Sequence, residues 1–216
     1  MTANSKTFSY ALVAAASNGI STAQSLGGAG NLTITGSLAT GGVATMDVAR
    51  RVVIASVGND SALTWTITGT DRYGRVQSEA LAGSNAGTSQ SIKDYKTVTQ
   101  IAGSGATAGN VTAGTNGVGS SDVFVVNYLA NPFTLSAALV FTGVANATVE
   151  LSFDDIAPDY NTNANPPTWF SALNLTSVAT NSASAITGPV ALARTTINSG
   201  TGSVKTIFTQ GLGPTA

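Results

Sequence analysis

Apolar and polar side chains alternate along most of this chain, and the alternation rarely gives way to the three-to-four-residue spacing of a helix face. The clearest strand is residues 62–69 (ALTWTITG). There Leu63, Trp65 and Ile67 share one face and Thr64, Thr66 and Thr68 the other. Period-two spacing of this kind marks a half-buried strand with threonine outward, and it makes Trp65 a core anchor. Asp71-Arg72-Tyr73-Gly74 then reads as a turn, because Gly takes a positive φ without strain, and residues 75–82 read as the return strand. Further strands are expected at 31–36, 51–56, 88–92, 97–102, 110–113, 123–129, 133–142, 147–153, 190–197 and 203–209. Gly, Thr, Ser and Asn interrupt every helical stripe, so the best helix candidates are short: residues 8–17 and a turn near 169–173.

Many short strands with turn signals every ten residues or so point to an all-β protein rather than a parallel sheet. The expectation is two tandem β-sandwich-like modules with Gly-rich loops and little helix. An N-terminal arm or short helical segment would occupy 1–30, a first β-domain 31–118 and a second 119–216. The densest Gly-rich stretch, residues 103–121, reads either as a linker or as a glycine-rich hairpin. A faint echo links 49–58 (ARRVVIASVG) with 193–200 (ARTTINSG), each an Arg, a strand and a Ser/Gly turn. Duplication and mere similarity of hairpins both explain it.

Composition removes whole classes of function. Among 216 residues there are 9 basic and 10 acidic side chains, a formal charge of −1, and no His and no Cys. Charged residues make up 9% of the chain, against about 25% in an average soluble domain. That balance excludes a strongly basic nucleic-acid binder. Arg50, Arg51, Arg72 and Arg75 give the first half a modest basic surface, better suited to pairing with another protein surface than to phosphate. No apolar run reaches the ~18 residues of a membrane helix, and the aromatics are scattered rather than gathered into the two girdles of a membrane barrel. Lys6, the apolar stretch 8–16 and Ala14-Ala15-Ala16 loosely imitate a signal peptide. The stretch is short and broken by Ser9 and Tyr10, which weighs against that reading.

The remaining chemistry is sparse, and no enzyme is expected. Without His there is no Ser–His pair, and no Lys has Ser three residues before it. No phosphate loop and no G-x-S-x-G elbow occur. Gly103-Ser104-Gly105-Ala106-Thr107-Ala108 fits a loose dinucleotide spacing, but no helix pattern follows to hold a pyrophosphate, so the glycines read as loop residues and no cofactor is expected. Asp154, Asp155 and Asp159 form the one carboxylate cluster. It suits a solvated Asx turn, a calcium site with Asn161 or Asn163, or a glycosidase pair, and the generic nature of Asx turns favours the first. Trp169, after Pro166-Pro167, reads either as a plug pinning its loop or as an exposed contact residue.

The run 51–101 resembles a family of tailed-bacteriophage virion proteins. Its pattern is a strand, T-x-T-G-T-D-x-x-G (residues 66–74), a second strand with Ser78-Glu79, then N-A-G-T (85–88) and K-T-V-T (96–99). The C-terminal half carries F-D-D (153–155), Trp169, P-V-A-x-x-R (189–194) and S-G-T-G-S-V (199–204), which fit the same family. The resemblance implies a non-enzymatic virion protein, a head decoration or cement protein on the major capsid protein shell, self-associating as a homotrimer. A tail, collar or fibre-base component of the same particle is the first alternative. A secreted carbohydrate-binding or adhesive β-domain is the second.

Overall fold

The computed structural model describes residues 4–154 and 167–211. All of their regular structure is β, with no helix among the described residues and therefore none long and apolar enough to cross a membrane. In chain order the strands are β1 (Asn4–Ala11), β2 (Ser21–Gln24), β3 (Gly30–Asn31), β4 (Ala39–Thr40), β5 (Val43–Ser56), β6 (Thr64–Thr70), β7 (Val76–Ala82) and β8 (Thr88–Gly103). They continue with β9 (Val111–Ser120), β10 (Phe124–Val125), β11 (Leu135–Thr142), β12 (Ala145–Ser152), β13 (Phe170–Ser171), β14 (Ser182–Ile186), β15 (Leu192–Gly200) and β16 (Ser203–Gln210).

The chain divides into a continuous unit, Ala14–Gly119, and a split unit, Met1–Val13 with Ser120–Ala216. Residues 1–30 are therefore shared between the two. Where the sequence suggests an arm or a short helix over 8–17, residues 4–11 are a strand in register with β16, from Asn4 opposite Gln210 to Ala11 opposite Ser203. The cause is the alternation of Phe8 and Tyr10 with Ser9, which fits a sheet edge better than a helix face. The turn near 169–173 is likewise extended at Phe170–Ser171. The stretch 103–121 is not a linker, since Val111–Ser120 is a sheet strand.

In the continuous unit the pairing order is β9-β5-β8-β6-β7, with β2 on β9, β3 on β8 and β4 on β5. β8 is one sixteen-residue strand where the sequence suggests two. It pairs with β5 over Thr88–Val98 and with β6 over Thr97–Gly103, so it changes partners near Thr97. Its inward residues Tyr95, Val98 and Ile101 join Trp65 and Ile67 of β6, Val52 and Ile54 of β5 and Val111 and Ala113 of β9 in one buried cluster. The threonine face of β6 is turned outward as its alternation predicts.

Residues 31–36 keep their alternation, with Leu32 and Ile34 buried, yet only Asn31 is in a ladder. Gln24 explains this. Its side-chain Oε1 accepts from the Thr33 N–H at 2.9 Å and its Nε2 donates to the Thr33 carbonyl at 3.0 Å. The amide stands in for a neighbouring strand.

The split unit has two sheets around one core: β1-β16-β11-β14, and β13-β12-β15 with β10 on β15. Phe8, Val204, Phe208, Leu135 and Leu139 from the first meet Phe124, Val149, Ala193 and Ile197 from the second. Phe208 stacks on Phe124 at 5.4 Å and takes Phe8 edge-on at 6.3 Å. Gln210 repeats the amide device, accepting from Asn127 N–H at 2.9 Å and donating to its carbonyl at 2.7 Å.

Candidate interaction surfaces

The motif residues of the 51–101 run are all used in building the continuous unit. Gly69 lies where an added Cβ would come within 1.9 Å of the Thr97 carbonyl oxygen, so no larger residue fits. Thr70 and Thr97 share a hydroxyl hydrogen bond of 2.6 Å beside it. Asp71 Oδ1 accepts from the N–H groups of Tyr73 (2.8 Å) and Arg75 (2.9 Å), and Gly74 closes the turn at φ +79°. Glu79 reaches from β7 to accept from two consecutive β8 amides, Ile92 at 2.7 Å and Lys93 at 3.0 Å. Asn85 bridges Asn59, and the Gly87 carbonyl accepts from Ser56. Lys96 Nζ donates to the carbonyls of Met46 and Asp47. Buried Asp60 accepts from Ser56 Oγ and from the Ala108 N–H, tying the neighbouring loops together.

Charge gathers around this framework. Asp47, Arg50 and Arg51 lie on β5, Asp71, Arg72 and Arg75 in the β6–β7 turn, Glu79 on β7, and Lys93, Asp94 and Lys96 on β8. The four arginines do not form the shared basic surface expected of them. Arg50 is 1% exposed and grips Asp47 with two bonds, Nε to Oδ1 at 2.6 Å and a terminal nitrogen to Oδ2 at 2.7 Å, while donating to the Asn116 carbonyl. Residues three apart on a regular strand face opposite ways. The register shift between Thr45 and Arg50 is what lets this pair meet. Asp94 sits between Arg51 at 3.8 Å and Arg72 at 3.9 Å. Arg75 lies over the Tyr73 ring at 4.7 Å and 3.9 Å from Asp71. Beneath them Tyr95 is buried and donates to the Ile67 carbonyl at 3.3 Å. Burial raises its phenol pKa well above the usual value, and the Glu79 charge adds to the rise. Each of these charges faces an opposite charge, a backbone group or a ring. The cluster ties β5, β6, β7 and β8 together. At its margin Val76 and Ile92 are 77% and 80% exposed.

In the split unit Trp169 stacks on the Arg194 guanidinium at 4.2 Å, and Arg194 Nε pairs with Glu150 at 2.6 Å. Thr196 also donates to Glu150. Trp169 is half-buried in this stack. Among the described residues the most exposed aromatic pair is its neighbour Phe170 with Phe153, at 52% and 63% exposure. Their rings are 5.8 Å apart and tilted by 59°, which leaves no flat platform of the kind that stacks on a sugar ring. Asp154 accepts from Ser152 Oγ and from the Thr168 N–H. Asp155 and Asp159, with Asn161 and Asn163, lie outside the described residues. Among the described residues no three acidic, His or Cys side chains come together as metal ligands. Gly103–Ala108 leads into β9 without a helix, so no helix N-terminus faces that loop.

Sequence reasoning missed the Glu79 clasp and the Asp47–Arg50 pair. The signal for the first is a lone acid on an otherwise uncharged strand. For the second there is none, because it depends on a bulge. No protein-family description, no curated protein and no solved structure matches this chain.

Proposed function

We propose that this chain is a non-enzymatic structural protein of a tailed-bacteriophage virion, decorating and stabilising the capsid shell as a cement protein. The observation that carries the reading is the 51–101 run. Its motif residues are spent on turns, clasps and close strand contacts, which suits a protein whose contribution to a particle is architecture. The surface chemistry supports the same reading. Charges are few, and those of the β5–β8 cluster are matched to partners within the chain, while large apolar side chains such as Ile92, Val76, Leu173, Val144 and Leu129 stand exposed. Surfaces of this kind are suited to burial against other subunits, with the major capsid protein and further copies of this chain as the partners. A homotrimer at the local three-fold positions of the shell is the assembly this reading favours.

The test is imaging of the virion with this protein tagged. A copy number that scales with the shell, and density on the capsid surface, are expected. Density confined to the tail or collar would replace the cement reading with a tail-component reading. Absence from the particle would overturn both.

A further inference from the structure

We propose that β1 is an exchangeable strand: the Asn4–Ala11 strand of one copy completes the split unit of a second copy. Topology carries the inference. β1 is an edge strand with a single partner, β16, and that partner lies at the opposite end of the sequence, with the whole continuous unit between them. Phe8 within it and Leu12 just after it are seated in the split-unit core, whose other buried members all come from residues 124–208. Tyr10 stacks beside Phe8, and its hydroxyl accepts from the Asp122 N–H. The groove that receives β1 is thus formed wholly by the later part of the chain. It recognises the eight-residue strand by its register and by Phe8, and the residue after it by Leu12, whichever copy supplies them.

The connection between the units supports exchange. Leu12 is buried and donates to the Gly202 carbonyl. Only Val13, Ala14 and Ala15 separate it from Ala16, whose carbonyl accepts from the Gly19 and Thr115 N–H groups inside the continuous unit. All three connecting residues are exposed, and none is the Gly, Pro or Asn that would build a tight turn. Three extended residues span about 10 Å. The structure closes β1 on its own copy, and a short hinge is a known point at which the same strand passes to a second copy instead. Exchange preserves every contact that β1 makes, so it gives an oligomer without any new surface. The added strand is recognised by main-chain pairing, with side-chain anchors setting the register.

The proposal stands on topology and is independent of the virion reading. Ser9 and Lys205 are opposite each other in register, both exposed, and the chain has no Cys, so an engineered pair has no background. Two full-length variants, Ser9→Cys and Lys205→Cys, carrying different tags, are co-expressed and treated with a short bis-maleimide. Exchange predicts a covalent two-chain species containing both tags, and its disappearance when either cysteine is absent. Ala11→Cys with Ser203→Cys repeats the test two residues further along the same ladder, in case the first pair disturbs folding. A double variant, Ser9→Cys/Lys205→Cys, in one chain is expected to shift from one-chain to two-chain mass or higher. Cross-linking confined to single chains, or a chain that light scattering finds monomeric throughout, overturns the exchange and leaves the imaging test of function untouched.

Discussion

The continuous unit and the split unit face one problem: satisfying the backbone of a chain rich in Thr, Ser, Gly and Asn and poor in charge. The continuous unit does it with polar side chains. Its strands bulge and change partners, and Gln24, Asp71, Glu79 and Lys96 reach across to pair the backbone groups left behind. The split unit uses that device at Gln210 and relies more on geometry. Its two sheets enclose Phe208, stacked on Phe124 and edge-on to Phe8, and its strands β1, β11 and β16 hold one unbroken register. The difference teaches where each unit is vulnerable. Polar clasps in the first are local and numerous, whereas the aromatic core of the second is shared by strands from both ends of the sequence.

The largest expected effects come from emptying each core in turn. Trp65→Ala and Phe208→Ala both remove rings buried to 1% or less, at a cost of about 3–5 kcal/mol each. Denaturation followed by amide exchange in both units distinguishes the outcomes. Trp65→Ala is expected to lower protection in residues 14–119 and Phe208→Ala in β1, β11 and β16. If either substitution lowers protection equally throughout, the two units unfold as one and the contrast between them carries no energetic meaning.

Next in size is the Glu79 clasp. Glu79→Ala leaves the Ile92 and Lys93 amides without their carboxylate acceptor. Because water reaches these groups, the loss is expected near the lower end for a charge-assisted bond, about 1–2 kcal/mol. Faster exchange at those two amides, with the split unit unchanged, is the expected reading. Unchanged exchange would mean that the β7–β8 contact does not depend on Glu79.

Much of the fold was legible because alternation is a local signal. Residues 62–69 and 75–82 give β6 and β7 almost residue for residue, and Trp65 and Ile67 are as buried as their spacing requires. What was not legible is non-local. The Asp47–Arg50 pair needs a bulge, β8 needs the partner change near Thr97 to be seen as one strand, and β1 needs a partner some two hundred residues away. Residues 182–186 (SASAI) carry too little apolar content to announce β14, which exists because β11 offers it an edge. The surface was less legible still. Four arginines read as a basic patch, and Arg50 turned out to be a buried strut.

A smaller effect separates the units by pH. Tyr95 has its phenol pKa raised by burial, with the Glu79 charge adding to it. A group raised in the folded state contributes its stability below the unfolded value, about 10 for tyrosine, and loses it as pH climbs toward the folded one. The continuous unit is therefore expected to weaken progressively above pH ~10, as the unfolded chain ionises first. Tyr95→Phe is expected to cost only about 0.5–1 kcal/mol near neutrality, since its hydrogen bond is long, and to flatten the alkaline loss. The difference between the parent and Tyr95→Phe curves isolates this group from the lysines. A parallel alkaline decline in both would show that Tyr95 is not its source.

The smallest effect is expected where the acidic cluster raised the question of calcium. Asp154 belongs to the split unit, whose stability rests on its apolar core. Its carboxylate already accepts from Ser152 Oγ and from the N–H of Thr168, fourteen residues on. A cation at Asp154 would have to compete with those bonds. Dialysis against a calcium chelator is therefore expected to leave the melting temperature and the oligomeric state unchanged, and Asp154→Asn to cost less than about 1 kcal/mol. A ligand that binds only the folded state stabilises it in proportion to the logarithm of its concentration over Kd. A fall of many degrees on chelation, restored by added calcium and lost in Asp154→Asn, would therefore give the split unit a metal-dependent term and move its stability away from the aromatic core.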